Sequence, residues 1–216
     1  MPDFLVRPYQ STDREAVFRI AADTAFFGEP VEAFLDDRRL FCDFFYAFYT
    51  DLEPDHGWVA CADQEVVGFL MGCTDTRSRP RRWIQSILPV VTRQLAGGGY
   101  RLGWRTIRYV TRLMLGGLRG ERLVLDVKAY PAHLHVNLSS DWRGQGLGGK
   151  LLAAFIEQLR ALEMPGVHLS TTSANAAACH LYERSGFRLL SACTTRMWEG
   201  LVQAPLEERI YGLRLT

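Results

Sequence analysis

The stretch richest in chemistry is Asn137-Leu138-Ser139-Ser140-Asp141-Trp142-Arg143-Gly144-Gln145-Gly146-Leu147-Gly148-Gly149-Lys150. An apolar strand ends, glycines leave the backbone bare, and an amphipathic helix begins. Several amide N–H groups and the positive helix end then point at one place, which makes an anion site. Two other phosphate motifs do not fit. No Gly-Lys-Ser/Thr closes the turn, as a nucleoside triphosphate loop requires. The glycine spacing and the late position of the strand also exclude a dinucleotide fingerprint. On the strand before the turn lie His133 and His135. Strand alternation puts both imidazoles on one face, and their near-neutral titration lets either accept a proton, directly or through water. A pair of hydrogen-bonded core histidines reads equally well from the same residues. Asp126 and His168 are further candidates for the base.

These residues need elements to hold them. Phe4 to Pro8 reads as a strand, and Thr12-Asp13-Arg14-Glu15 fits a capping box opening a helix that runs to about Phe26. A second helix is expected over Val31 to Tyr49, from phenylalanines at helical spacing. Trp58 to Ala62 and Val66 to Cys73 form a hairpin around Asp63-Gln64-Glu65. Leu123 to Lys128 and Ala132 to Leu138 are β-like. A helix follows from Gly146 to Leu162, then a strand over Gly166 to Thr171. Asn175 to Ser185 is helical and ends at Gly186 as a left-handed residue. Phe187 to Trp198 and Glu208 to Leu215 are the last strands. That order gives one α/β domain over 1–216, a mixed sheet flanked by helices.

With the elements placed, two stretches resemble the signatures of the GNAT acyltransferase superfamily. Arg143, Gly146 and Gly148 match Arg/Gln-x-x-Gly-x-Gly/Ala, and Asn175 to Phe187 looks like Asn-x-x-Ala-x-x-x-Tyr-x-x-x-Gly-Phe. More narrowly, Tyr130 to Leu138 resembles bacterial acetyltransferases related to the acetyltransferase-like domain of O-GlcNAcase. The resemblance implies a mostly antiparallel central sheet, with 76–120 as a helical insertion between two strands, and an acetyl-CoA-dependent N-acetyltransferase. It implies that pyrophosphate sits on the amides of Gly144, Gln145, Gly146, Leu147 and Gly148 with Arg143 nearby. Amides near Leu138 and Ser139 would polarise the thioester carbonyl, and Asn175 would bond the pantetheine arm. Tyr182 matches the family's acid. Where some relatives carry a glutamate base stands Ala132. The His-x-His of His133 and His135 resembles the arylalkylamine acetyltransferases, one residue out of step, which a bulge would absorb. A non-catalytic acyl-CoA-binding module is the competing class, with Ala132 in its favour.

Composition bounds the rest. The chain has 216 residues, 12% of them aromatic, and no apolar run near the roughly 18 residues of a membrane span, which excludes low-complexity and bilayer-crossing classes. The first residues lack signal-peptide regions. Five cysteines without a C-x-x-C pair point to reduced thiols, no metal and a cytoplasmic location. Charge is unevenly spread: residues 1–75 hold 15 acids against 5 bases, while 76–120 hold ten arginines and no acid. Arg101, Arg105, Arg108 and Arg112 align on one helix face. They are expected to pair with the acidic block or a second subunit as a homodimer, to cover the active site, or to meet a membrane surface or nucleic acid. A further alternative is an acetyltransferase of a protein or RNA acceptor recruited by this arginine block. Asp36, Asp37 and Asp43 lie where relatives build the acceptor site, so a small-molecule or peptide amine of cationic character is expected.

Overall fold

The computed structural model describes residues 3–121, 123–202 and 205–215, so the first two residues of the expected leader-free start lie outside it. Its strands are β1 (Phe4–Pro8), β2 (Gly57–Ala62), β3 (Glu65–Cys73), β4 (Ala132–Leu138), β5 (Gly166–Thr172), β6 (Arg188–Thr195) and β7 (Leu206–Arg214). They form a single sheet in the order β1-β2-β3-β4-β5-β7-β6. Neighbours are antiparallel except β4 and β5. That parallel pair meets only at Ala132 opposite Val167 and His133 opposite His168. Since β5 stays in register with β7 along its whole length, β4 and β5 part beyond His133. A strand edge is left open in the middle of the sheet.

The period-2 alternation of β4 sorts its side chains between two cores. Ala132 and Leu134 pack under α7 (Leu147–Ala161) and α8 (Ala176–Arg184), against Leu151, Leu152 and Phe155. Burying each of those apolar side chains contributes roughly 1.5–3 kcal/mol, which fixes α7 and with it the glycine turn at its start. His133 and His135 point to the opposite face. There α1 (Arg14–Asp23), α2 (Arg38–Phe45) and α3 (Ala47–Leu52) bring Tyr46, Tyr49 and Phe48 over Phe69 and Met71 of β3. Between β3 and β4 the insertion forms α4 (Arg79–Ser86), α5 (Leu88–Ala96) and α6 (Trp104–Leu118).

Several expectations are corrected. The second helix does not begin at Val31: the Asp37 carboxylate accepts the Leu40 N–H at 2.8 Å, so α2 starts at Arg38, and it breaks at Tyr46 into α3. The capping box of Thr12 and Glu15 gives way to Asp13, which accepts the Gln10 N–H at 2.9 Å and a two-pronged pair from Arg7. Leu123 to Lys128 is not a strand. The Asp126 carboxylate takes the amides of Lys128 and Ala129 into a turn, the usual competition of a short polar side chain with a ladder. Arg101 precedes α6, so the helical arginine row is Arg105, Arg108 and Arg112. Finally, β4 pairs with β3 from Gly68–Leu138 to Cys73–His133 without a bulge.

Candidate active site

The glycine turn lies where the open edge of β4 ends. Gly144 and Gly146 have φ of +75° and +80°, in the left-handed region, and a Cβ on either would meet nothing within 4 Å. The backbone conformation, not crowding, asks for glycine there. Gly146 is the N-cap of α7 and offers no side chain to the first amides. The first to find a carbonyl in the helix is Lys150, at 3.2 Å from Gly146 O. The amides of Leu147, Gly148 and Gly149 are thus left for an outside acceptor. Arg143 is turned away from that acceptor. Its Nε donates to Leu138 O at 3.2 Å and its Nη2 to Gly28 O at 3.1 Å, tying the loop to β4 and to the chain after α1. Gln145 likewise donates back to Asp141 O. Asn175 caps α8, its Oδ1 accepting the Ala178 N–H at 3.3 Å, which leaves only its NH2 to donate elsewhere.

The Ser139 amide donates to Val67 O at 2.9 Å. It is therefore not a donor to a bound carbonyl, contrary to expectation. In an antiparallel ladder the next residues alternate in direction, so with Ser139, Asn137 and His135 turned to β3, the N–H groups of Leu138 and Val136 face the opening.

On the α1–α3 face, Tyr49 joins the two histidines. Its hydroxyl lies 2.8 Å from His133 Nε2 and 2.9 Å from His135 Nε2, and Thr76 Oγ1 lies 2.6 Å from His133 Nδ1. A neutral chain fits these contacts in one sense that leaves a lone pair at the opening. His135 Nε2–H donates to Tyr49, Tyr49 donates to His133 Nε2, and His133 Nδ1–H donates to Thr76. His135 Nδ1 is then the free base. His133 is buried, whereas His135 is exposed. The rings of Tyr46 and Tyr49 stand edge-on to the His135 imidazole at 5.9 and 5.1 Å and cover part of it. Loss of solvent, then the Arg79 cation and His168, push His135 down to about 4. Desolvation first, and His135 and Arg79 after it, hold His133 well below its usual range. Both imidazoles are neutral at pH 7. Arg79 lies 5.3 Å above the Tyr49 ring, within cation–π range, and its buried Nε has no partner among the described residues. His168 donates from Nδ1 to Tyr130 O and stays in the core, and Asp126 lies in its turn.

Tyr182 is buried on α8, its ring 6.1 Å from those of Phe187 and Tyr211. Burial, with Cys179 adding to it, lifts its pKa above the ordinary value, so the phenol keeps its proton. Tyr46 faces it from the α3 side: burial, then Tyr49, Cys42 and Tyr182, raise that hydroxyl too. Two protonated phenols thus flank the opening, one from each core.

Tyr49, Thr76, Arg79 and Tyr46 carried no signal in the sequence, where the first and last fall in the expected second helix and the other two in the insertion. The acids expected to recognise an amine are engaged elsewhere. Asp36 accepts the N–H and hydroxyl of Thr106, both at 2.8 Å, Asp37 accepts the Arg101 N–H, and Asp43 accepts the Tyr100 hydroxyl. The acidic block holds the insertion mostly through these bonds, since Arg82 with Glu53 is its one ion pair to an insertion arginine among the described residues. On the same face of the sheet a cavity of about 380 Å³ opens between α6 and β6–β7, lined by Tyr109, Arg112, Trp198 and Glu208 among others. Burial raises the Glu208 carboxyl, and the Trp198 indole N–H reaches it at 3.4 Å. Cys42 and Cys73 are pushed up to about 12 and about 11 by burial, which suits inert thiols. Among the described residues no cluster of His, Cys, Asp and Glu is placed to hold a metal, and no helix is long and apolar enough to cross a membrane.

A family model described as Acetyltransferase (GNAT) family matches residues 101–187. The solved structure of SsHAT is 31% identical over 100% of both chains, with a TM-score of 0.76. The structure of yncA from Salmonella typhimurium with its cofactor acetyl-CoA is 16% identical over 99% of this chain and 94% of that one, TM-score 0.57. A Drosophila melanogaster polyamine N-acetyltransferase, which forms N-acetylagmatine, is 17% identical over 98% and 100%, TM-score 0.60. These last two show the fold.

Proposed function

The chain belongs to the GNAT acetyltransferase family, and we propose that it moves an acetyl group from acetyl-CoA to an amine acceptor by direct attack in a ternary complex. The residues suit that donor. The uncapped amides of Leu147 to Gly149 and the left-handed Gly144 and Gly146 leave bare backbone at a positive helix end, which suits a pyrophosphate. The open edge of β4 offers Val136 and Leu138 amides to an extended arm, as an added strand would use them. When bound, acetyl-CoA supplies the thioester and a thiolate leaving group.

One observation carries the reading: on the strand that parts from β5, the Tyr49 hydroxyl bridges His133 Nε2 and His135 Nε2, and burial holds the His135 imidazole neutral, so that the tautomer with Nε2–H toward Tyr49 leaves Nδ1 as a base. His135 takes the proton of the attacking amine on Nδ1. Its Nε2–H, already bonded to Tyr49, then shares the positive charge with Tyr49, His133 and Thr76. Val136 or Leu138 N–H meets the charge developing on the carbonyl oxygen. Tyr182 gives its proton to the departing sulfur and regains one from solvent.

Melting with and without acetyl-CoA, for the wild type and for Gly146→Trp, tests the donor groove. Saturation at 100 times the dissociation constant adds about 2.7 kcal/mol, which the wild type should show and the variant should not. Thiol release over a panel of amines then tests the acceptor class. A wild type that acetyl-CoA does not stabilise, or that releases no thiol with any amine, sinks the proposal.

A further inference from the structure

Helix α6 is held along one side only. Thr106 bonds Asp36, and the Tyr109 ring packs on Phe34 and Trp198 at 4.9 and 6.0 Å. At 100° per residue, Trp104, Ile107, Val110, Met114, Leu115 and Leu118 share an arc of about 140° away from that side. All six are exposed, Trp104 at 71%, Met114 at 67% and Leu118 at 84%. Such an apolar strip in water marks a contact surface. Arg105, Arg108 and Arg112 run along one edge of the arc, and among the described residues none forms an ion pair. The acids around them are occupied: Asp36 by Thr106, Glu121 by the Thr195 hydroxyl and the Arg196 N–H, and Glu208 by the Trp198 indole N–H.

We propose that α6 is an interfacial helix that seats this protein on an anionic lipid surface. The arc is apolar enough to enter the acyl boundary, Trp104 stands at its start, and the arginine row at its edge lies level with headgroup phosphates. Charge complementarity favours lipid over a second copy of the chain. The insertion carries no acid between residues 76 and 120, so pairing α6 with its own copy brings arginine rows together without counter-charge. Nucleic acid would answer the arginines but not the apolar arc. The inference is independent of the acetyl-transfer reading.

The test is flotation of the full chain with vesicles of phosphatidylcholine alone or mixed with phosphatidylglycerol, at low and high salt, with sedimentation velocity in parallel. Binding should need the anionic lipid and weaken with salt. At about 1 kcal/mol, or fivefold, per arginine, replacing Arg105, Arg108 and Arg112 together by glutamine should cost about a hundredfold in affinity. Met114→Ser with Leu118→Ser, both on the exposed arc, should abolish flotation while thermal melting stays unchanged. Vesicles should also shift the tryptophan emission to the blue in the wild type and not in Trp104→Phe. A folded protein that ignores anionic vesicles at low salt overturns the proposal. So does a dimer that the two serine replacements dissociate, since a second copy would then cover the arc.

Discussion

In the proposed function the parted strands β4 and β5 have a donor end and a proton-handling end, and the two are assembled in opposite ways. The proposed donor end is one continuous piece of chain, from Leu138 through Gly149, which offers backbone amides while Arg143 and Gln145 brace it. The proton-handling end brings together His133 and His135 from β4, Tyr49 from α3, and Thr76 and Arg79 from the insertion, with Tyr49 84 positions from His133. A backbone site tolerates changes in side chains and fails when φ is altered. A side-chain relay fails one atom at a time. The insertion also reaches the histidines, through the Thr76 hydroxyl on His133 and the Arg79 cation beside both rings.

Breaking the relay at its head has the largest expected effect. His135→Ala should lower kcat by about 10²- to 10⁴-fold, the usual worth of a positioned base. The same variant should keep its thermal shift with acetyl-CoA, since no amide of the donor end is touched. Equal loss of both would mean that the two ends are not separable.

The donor end breaks next. Gly146→Val forces a β-branched residue to φ of +80°, which costs of order 1–3 kcal/mol, and it crowds the first amides of α7. The expected result is a KM for acetyl-CoA raised about 10- to 100-fold with kcat at saturation within a few-fold of wild type. A fall in kcat with KM unchanged would place this glycine in the chemistry rather than in binding.

Arg79→Gln sharpens the comparison by asking whether the insertion tunes the base. In the wild type His135 is pushed down to about 4, by desolvation first and by Arg79 next. Protonation removes the Nδ1 lone pair, so kcat measured at saturating substrates should hold as pH falls from 7 to about 5. Removing the cation lets the imidazole pKa rise toward its ordinary value of about 6.5, so the acid limb of kcat should move upward in pH. Total activity at pH 8 should change little. An acid limb that does not move would leave Arg79 a packing residue over Tyr49 and Phe48.

The same contrast explains what was legible before the fold was known. Gly144 and Gly146 announce themselves because a left-handed φ and a bare helix start restrict the residue type locally, within a few positions. Seven strands, the long α7 and the insertion follow from periodicity and from Gly and Pro breaks in the same way. Tyr49 could not be read. Its phenol sits among phenylalanines at core spacing, and only the pairing of β4 beside β3 brings it over the histidines. Ser139 departs from expectation for a related reason: which amide faces the opening depends on ladder register, and that is a property of two strands. The acids Asp36, Asp37 and Asp43 stand out in the sequence but their hydrogen bonds to the insertion do not, because net charge identifies a patch without saying which hydrogen bonds it makes.

That last point yields the smallest expected effect. Asp37 accepts the Leu40 N–H as the cap of α2 and the Arg101 N–H from the insertion. Replacing a capping aspartate by alanine costs about 0.5–2 kcal/mol, or a few degrees of melting temperature in a domain of this size. Asp37→Ala should therefore lower the melting temperature and leave the KM for a cationic amine where it was. If the carboxylate instead recognises the acceptor, the order reverses: KM for cationic amines rises while neutral amines and melting are unaffected. The first outcome keeps the acidic block a clamp on the insertion. Recognition of the acceptor would then be sought in the cavity beside Trp198 and Glu208.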